Sequence, residues 1–570
     1  MPKKWHVKEV EPVVVAALSK QLDIKPATAS LLAGRGITSA EEGEKFLLPS
    51  FSAMPDPFLL KGMEKAVARM MEARRRQETV CIYGDYDVDG ISGTALLVSF
   101  LRATGFNCTY FIPDRFNDGY GLNRDALERI IALKTDLIVS VDCGVTSVAE
   151  ALFCRQQRID LIITDHHSPK ETLPDACAVV NPLQPGCEYP FKHLAGVGVA
   201  FNLLIALRSR MRQEGFFAGT EREPDIRDWL DLVALGTIAD VVPLVGQNRV
   251  YACFGLKRLT SSNRPGIEAL KSVSGVKGGV SAGQVGFRLA PRLNAAGRME
   301  SAVPGVELLL GSDPKESALI AGELDTANAE RQNVERGMLA EAIAFIEKAG
   351  DYPARRSIVL ASDSWHQGVV GIVASRVAER YHRPTILIAL DDEGKGKGSG
   401  RSIPGFHLLE ALNFCAEHLD RFGGHRYAAG VGLSALKFDD FAAAFERSTA
   451  RILGTAALVP TLEIDLEVAP ADVTAALIAE FKRLEPFGAG NPEPVLLMRG
   501  VQIKERRVVG DGHLKLRLST SGYDFSAIAF RQSAFQADGL IDVAFFPEIN
   551  VWNNRETVQL RIKDMRLTEG

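Results

Sequence analysis

The sequence lacks the features that would place it in several large classes of protein. No apolar run approaches the roughly 20 residues needed to span a bilayer. The opening MPKKWHVKEVEPVVVAAL has two lysines and a short apolar patch, which Glu9 and Glu11 interrupt, so it does not read as a secretory signal. The eight cysteines include no CxxC pair, and Cys81 and Cys143 sit in or beside apolar runs. That pattern reads as reduced, mostly buried thiols, neither a disulfide framework nor a zinc site. A cytoplasmic protein is expected. Basic charge is not in excess: 66 Lys and Arg against 71 Asp and Glu leave a net charge of −5. Nucleic acid could then be held only through local basic patches, aided by cations. No Walker A lysine motif is present, and no use of ATP is implied. Gly196 and Gly198 resemble a dinucleotide loop, but the third glycine and the downstream ribose acid are missing. There is no internal repeat and no low-complexity tract.

At 570 residues the chain is too long for one hydrophobic core. Residues 1–75 read as a helical and irregular N-terminal region, with a Pro-rich break at Pro49–Pro57. From Thr79 the texture changes. TVCIYG, NCTYFI, DLIVSV and IDLIIT read as buried strands, with helical stretches near 92–104, 123–133 and 146–157 between them. This is βαβ texture, so residues 76–313 predict an α/β domain on a parallel sheet. The span 314–350 predicts one long helix bridging two domains, with apolar residues at helical spacing and no internal proline. A smaller α/β domain follows over 351–455. Over 456–570 apolar and polar residues alternate with period two, as in HLKLRLS and TVQLRIKDMRL, which suggests a small β-barrel of the oligonucleotide-binding kind.

The chemistry collects at strand ends. The first strand runs into Asp85-Tyr86-Asp87-Val88-Asp89-Gly90. Three alternating carboxylates repel one another unless a cation neutralises them. They also sit at a strand's carboxyl end, where open α/β sheets place their sites. Asp142 closes a second strand, and Asp165, His166 and His167 close a third. Asp240 ends an apolar helix just before Pro243. Any one of these has an ordinary explanation: a solvated loop, a calcium loop, a helix cap at Asp142, a satisfied turn at His166-His167. Their recurrence on successive strands of one sheet does not. Oxygen-rich ligand sets with one or two imidazoles suit Mn²⁺ or Mg²⁺. Two such ions can activate water and stabilise a leaving oxygen in phosphoryl transfer.

These residues carry a resemblance. GDYDVDG, SVDCG, TDHH and GTIADVVPL resemble the four motifs of the DHH phosphoesterase superfamily. RFNDGYGL, LAGVGVAF, PRLNAAGR, WHQGVVGI, GSGRS and FGGH resemble segments of its RecJ branch, in the expected order over nearly the whole chain. The resemblance implies two divalent ions, Mn²⁺ or Mg²⁺, held by Asp87, Asp89, Asp142, His166 and Asp240. Asp85 and His167 are implied as ligands or as their neighbours, and Asp165 as a group orienting a ligating histidine. Related phosphatases carry a histidine where this chain has Tyr83, a departure that leaves the outer coordination of one ion open. The smaller α/β domain resembles the DHH-associated domain. There Arg401 and Ser402 are expected in a glycine-rich turn, with Gly424 and His425 nearby to bind a substrate phosphate. Lys395 and Lys397 would strengthen the anion field. Arg292, Asn294 and Arg298 are candidates for contact with the nucleic-acid strand, or members of a structural loop. In the barrel Arg506, Arg507, Lys515 and Arg517 are interleaved with Tyr523, Phe525, Phe530 and Trp552, aromatics that either stack on bases or fill the core.

By this resemblance the chain is expected to be a single-stranded-DNA-specific 5′–3′ exonuclease of DNA repair and recombination. Asp87, Asp142, His166, His167, Arg401 and His425 would form its catalytic set. The expected partners are single-strand-binding protein and a RecQ-type helicase, with no membrane and a monomeric state. A relative acting on short oligoribonucleotides or cyclic dinucleotides generally lacks the barrel. A non-catalytic replication scaffold loses motif acids, and here all four motifs are intact.

Overall fold

A computed structural model describes residues 3–568 except 116, 117, 120, 220, 221, 456, 538, 553 and 554. The chain forms two compact units. One comprises Met1–Lys4, Pro291–Pro304 and Leu319–Thr461; the other comprises Trp5–Ala290, Gly305–Ala318 and Leu462–Gly570.

The larger unit is organised by a five-stranded parallel sheet. Its strands are β1 (Thr79–Tyr83), β2 (Asn107–Phe111), β3 (Leu137–Val141), β4 (Asp160–Thr164) and β5 (Ala178–Val180), in the order β2-β1-β3-β4-β5. The central strands β1 and β3 are buried almost throughout, which is why their sequences are unbroken apolar runs with no alternation. Helix α1 (Val88–Ala103) begins four residues before the expected 92, because the Asp87 carboxylate caps it by accepting from the Asp89 and Gly90 N–H groups. Asp142 caps nothing: the helix that follows it starts at Val148, behind Ser147. Helices α2 (Gly196–Gln213) and α3 (Leu230–Ala239) pack against α1. Helix α3 is apolar and buried along its length and ends at Asp240, where Val241 turns into the left-handed region at φ 61°.

The same unit contains the C-terminal barrel. Strands Leu496–Val509, His513–Thr520, Tyr523–Ala529, Arg555–Leu567 and Leu540–Trp552 are hydrogen-bonded in that order, and the last pairs back to the first. This closed five-stranded barrel leaves no free edge in the ring. Its apolar core is shared with the N-terminal helices: Leu18, Leu31, Leu32 and Phe46 belong to one cluster with Leu516, Val543, Phe545 and Leu560. Arg249 is buried in the same unit, beneath 2% exposure, and its guanidinium donates to the carbonyls of Phe46, Arg483, Leu484 and Glu485.

In the smaller unit, strands β6 (Ile358–Ser362), β7 (Thr385–Leu390), β8 (Lys395–Arg401), β9 (Arg421–Gly424) and β10 (Ala428–Ser434) form a mixed sheet in the order β9-β10-β8-β7-β6. Only β6 and β7 are parallel, and helix α5 (Val370–Tyr381) connects them. The long helix α4 covers Pro314–Ala349, as the sequence predicts. All eight cysteines are free thiols. Among the described residues no helix is long and apolar enough to cross a membrane.

Candidate metal centre

The expected acidic and imidazole groups of the larger unit converge. Ligand-type atoms of Asp142, His166 and His167 lie within 4.8 Å of one another, as do those of Asp89, His166 and Asp240, and those of Asp85, Asp87 and Asp142. Three strand ends and one helix end therefore feed a single cluster, in which His166 and Asp142 each belong to two sets. His166 Nε2 stands 3.1 Å from Asp142 Oδ1, 3.5 Å from Asp240 Oδ2 and 3.9 Å from Asp89 Oδ2. Despite these short distances, Asp85 Oδ1, Asp142 Oδ1, Asp240 Oδ2 and His166 Nε2 are buried without a hydrogen-bond partner. Buried polar atoms are rarely left so, and four together on one spot fit a cation.

The electrostatics agree. Burial, reinforced by Asp87, pushes the Asp89 carboxyl up to about 7, although the N–H groups of Val197 and Gly196 oppose it. Burial also raises Asp85, Asp142 and Asp240 well above the carboxylate range; Asp87 adds to the first, and Asp89 to the other two. Burial, with His167 beside it, holds the His166 imidazole down at about 4, so it is neutral and its nitrogen can act as a ligand. Asp165 behaves differently. Burial would raise it, but His167 and the Val145 N–H outweigh that and hold it low. Its Oδ1 also accepts from the His166 and His167 N–H groups and meets His167 Nδ1 at 2.8 Å. Asp165 is thus fully engaged with protein donors and fixes the His167 ring.

Several features of the site were missed by sequence reasoning. Gly196 and Val197 donate their N–H groups to the Asp89 carboxylate at 2.6 and 2.8 Å. A Cβ on Gly196 would lie 2.6 Å from Asp142 Oδ1, and one on Gly236 would lie 2.9 Å from Asp89 Oδ1. LAGVGV thus opens a helix against carboxylates instead of a dinucleotide; the signal was its glycine pair at a helix start. Asp142 itself adopts φ 66°, a left-handed conformation uncommon outside glycine. Tyr83, at the departure from the related phosphatases, donates its hydroxyl to Gly121 O. At the rim, the Arg115 guanidinium lies 5.1 Å from the Tyr86 ring centroid and opposes the rise of Asp85. Phe116, Asn117 and Tyr120 of RFNDGYGL lie outside the described residues.

In the smaller unit one expectation is corrected. GSGRS is not a turn: Ser399 and Arg401 belong to β8, in the middle of the sheet. Its alternating glycines look like loop, but Gly396, Gly398 and Gly400 face a tight apolar layer, where a Cβ would meet Ile388, Val431 or Leu408 within 3 Å. Arg401 donates to Ser399 Oγ and Gly400 O at 2.7 and 2.8 Å. The Ser402 hydroxyl donates to Phe406 O. Gly424 ends β9 at φ 148°, and the exposed His425 follows it. PRLNAAGR is helical, within Ala290–Met299. There Arg292 pairs with Asp325 at 2.8 Å and Arg298 donates to Gly368 O; Asn294 lies on the same helix. In the barrel Phe525 is core, whereas Tyr523 and Phe530 are 46% and 49% exposed. Arg517 is paired with Glu505 and Asp524, and the side chain of Trp552 lies outside the described residues.

A parallel sheet whose strand ends share acids and a tandem histidine defines a DHH-type protein. Three family models match: the DHH family N-terminal domain over residues 79–237, the DHHA1 domain over 355–450 and the RecJ OB domain over 464–564. The chain is 40% identical to the single-stranded-DNA-specific exonuclease RecJ of Bacillus subtilis, over 99% of this chain and 71% of that protein. It is 38% identical to the Escherichia coli protein of the same name, over 95% of this chain and 94% of that one. The crystal structure of RecJ in complex with Mn²⁺ from Thermus thermophilus superposes with a TM-score of 0.85 at 34% identity, covering 100% of this chain and 80% of that one. The chain belongs to the RecJ family.

Proposed function

We infer that this chain is a metal-dependent exonuclease specific for single-stranded DNA, acting in repair and recombination. The observation that carries the reading is the convergence of four buried, unpartnered ligand atoms on Asp85, Asp142, His166 and Asp240. It is supported by relatives named for this activity and by one solved with Mn²⁺. In this reading Asp87, Asp89, Asp142, His166 and Asp240 hold two divalent ions, Mn²⁺ or Mg²⁺, with Asp85 and His167 as further ligands or their neighbours. The ions supply activation of water and neutralisation of charge on the leaving oxygen. The protein supplies the positions: Gly196 and Val197 fix Asp89, and Asp165 fixes His167.

Arg401, Ser402, Gly424 and His425 bind a phosphate of the strand in this reading, and the helix bearing Arg292, Asn294 and Arg298 contacts it further along. Exposed Tyr523 and Phe530 offer the barrel two faces for bases. The 5′–3′ direction, the cytoplasmic location, a monomeric state, and single-strand-binding protein and a RecQ-type helicase as partners follow the family resemblance. End-labelled single-stranded and blunt duplex oligonucleotides, as DNA and as RNA, test the reading with Mn²⁺ present. The expected result is mononucleotide release from the 5′ end of single-stranded DNA, abolished by chelation. Equal initial rates on blunt duplex, or none on any single strand, would refute it.

A further inference from the structure

The smaller unit holds a cavity of about 410 Å³ that the reading above does not use. It lies at the carboxyl ends of β6 and β7, the one parallel pair of that sheet, between the loop through Trp365 and His366 and the turn after Leu390. Crevices outside the carboxyl ends of parallel strands are where open α/β sheets bind ligands. Its floor is a single cross-strand row. Ala389 on β7 pairs with Lys397 on β8, Lys397 with Gly432 on β10, and Gly432 with Arg421 on β9. Two cations thus alternate with two small residues, their backbones about 10 Å apart.

The glycine is needed for this arrangement. A Cβ on Gly432 would stand 2.8 Å from Arg421 Cγ and 3.0 Å from its Nε, so the arginine stem lies across bare backbone, toward Lys397. The acids lining the cavity are already engaged. Asp391 accepts the Glu393 and Lys395 N–H groups, and Asp420 pairs with Lys437. Among the described residues Lys397 and Arg421 have no ion pair. Trp365, whose indole N–H is held by Glu341, lines the cavity on the face of Ala389, whereas Leu390 and Leu433 pair with Gly396 and turn to the opposite, apolar face. Arg401 lies at the other end of β8, paired with Thr385 and Ala428, so the row through Lys397 is a separate place on the sheet.

We propose that this cavity is a nucleotide site in which Lys397 and Arg421 hold the phosphate of a nucleoside monophosphate, with its base toward Trp365. The choice of a nucleotide among phosphate-bearing ligands rests on the exonuclease reading. Such a group arises from two sources, a released mononucleotide or the phosphorylated end of a strand.

Isothermal titration of the metal-free full chain with deoxyadenosine 5′-monophosphate tests the site. Saturable binding is expected, at least about tenfold weaker for deoxyadenosine and for Lys397→Ala or Arg421→Ala, since each removes charged hydrogen bonds. Gly432→Ala should weaken it similarly by displacing the Arg421 stem. Equal affinity in wild type and in both cation variants would overturn the proposal. So would inorganic phosphate binding as tightly as the nucleotide. Displacement by a 5′-phosphorylated oligonucleotide assigns the strand end as the source, and no displacement assigns the free mononucleotide. Mn²⁺-dependent hydrolysis is measured separately, so its absence would sink the exonuclease reading without touching binding read in the absence of metal.

Discussion

At the carboxyl ends of β1, β3 and β4 the chain gathers carboxylates that burial keeps from water, whereas beyond β6 and β7 it gathers cations over glycine backbone. Both places follow one rule of sheet architecture, but their energetics are opposite. The acidic end is enclosed and holds polar atoms that no protein group satisfies. The basic end is open, and Lys397 and Arg421 remain hydrated there. A buried cluster of like charge lowers stability until a counter-ion arrives, whereas exposed cations cost little and wait for a ligand. One sheet end is therefore built for a resident ion and the other for a visiting anion.

The sharpest way to break this comparison is at Asp142. Asp142→Ala should lower Mn²⁺-dependent hydrolysis by on the order of a thousandfold. It should also raise the melting temperature of the metal-free protein, because one of several repelling carboxylates is gone. Wild-type rates would remove Asp142 from the metal set, and a non-cooperative melt would make it structural.

Arg401, at the opposite end of β8 from Lys397, tests the smaller unit on the reaction itself. Arg401→Ala should reduce kcat/KM at least about tenfold, roughly 1.4 kcal/mol, and lysine should restore only part of it, lacking the planar fork. Full activity in the alanine variant would leave Arg401 with a purely structural role.

The barrel offers a smaller effect. Tyr523→Ala or Phe530→Ala should weaken binding of long single strands about fivefold, at the lower end of the ~1–3 kcal/mol per stacked base. Phe525→Ala should instead destabilise the fold, since that ring is core. Point substitutions are cleaner here than deletion of the barrel, which would strip the core from the N-terminal helices.

A separate effect is on stability against pH. Asp89 sits at about 7 in the folded chain and near 3.9 when unfolded. The native state then binds the proton more tightly, so metal-free stability should fall as pH rises from about 4 to about 7 and level off above. Denaturant midpoints of wild type and Asp89→Asn, compared without metal, isolate this group. A difference that does not change with pH would contradict the raised carboxyl, and added Mn²⁺ should reverse the loss in wild type.

Much of the acidic site could be read in sequence because its residues are adjacent in the chain: DYDVD and TDHH each lie on one strand end. What supports them could not. Gly196 reaches Asp142 only through the packing of α2 on the sheet, and a glycine pair at a helix start reads as a phosphate loop when its partner is unknown. The β8 strand was hidden by its glycines, which by local preference signal a turn but here serve close packing. The helix Pro314–Ala349 was legible to within a residue of the expected 314–350, because its pattern is local and a proline opens it. The core joining Leu18–Leu47 to the barrel had no local signature at all.

That shared core has a consequence for biosynthesis. Leu31, Leu32 and Phe46 leave the ribosome at least about 450 residues before the barrel strands that bury them. At ~5–20 residues per second this is an interval of roughly 20–90 s. Through that interval an apolar surface stands without its partner, exposed to chaperones and to neighbouring nascent chains. The closing step of folding must then bring together segments from opposite ends of the sequence, a long loop closure of the kind that slows folding.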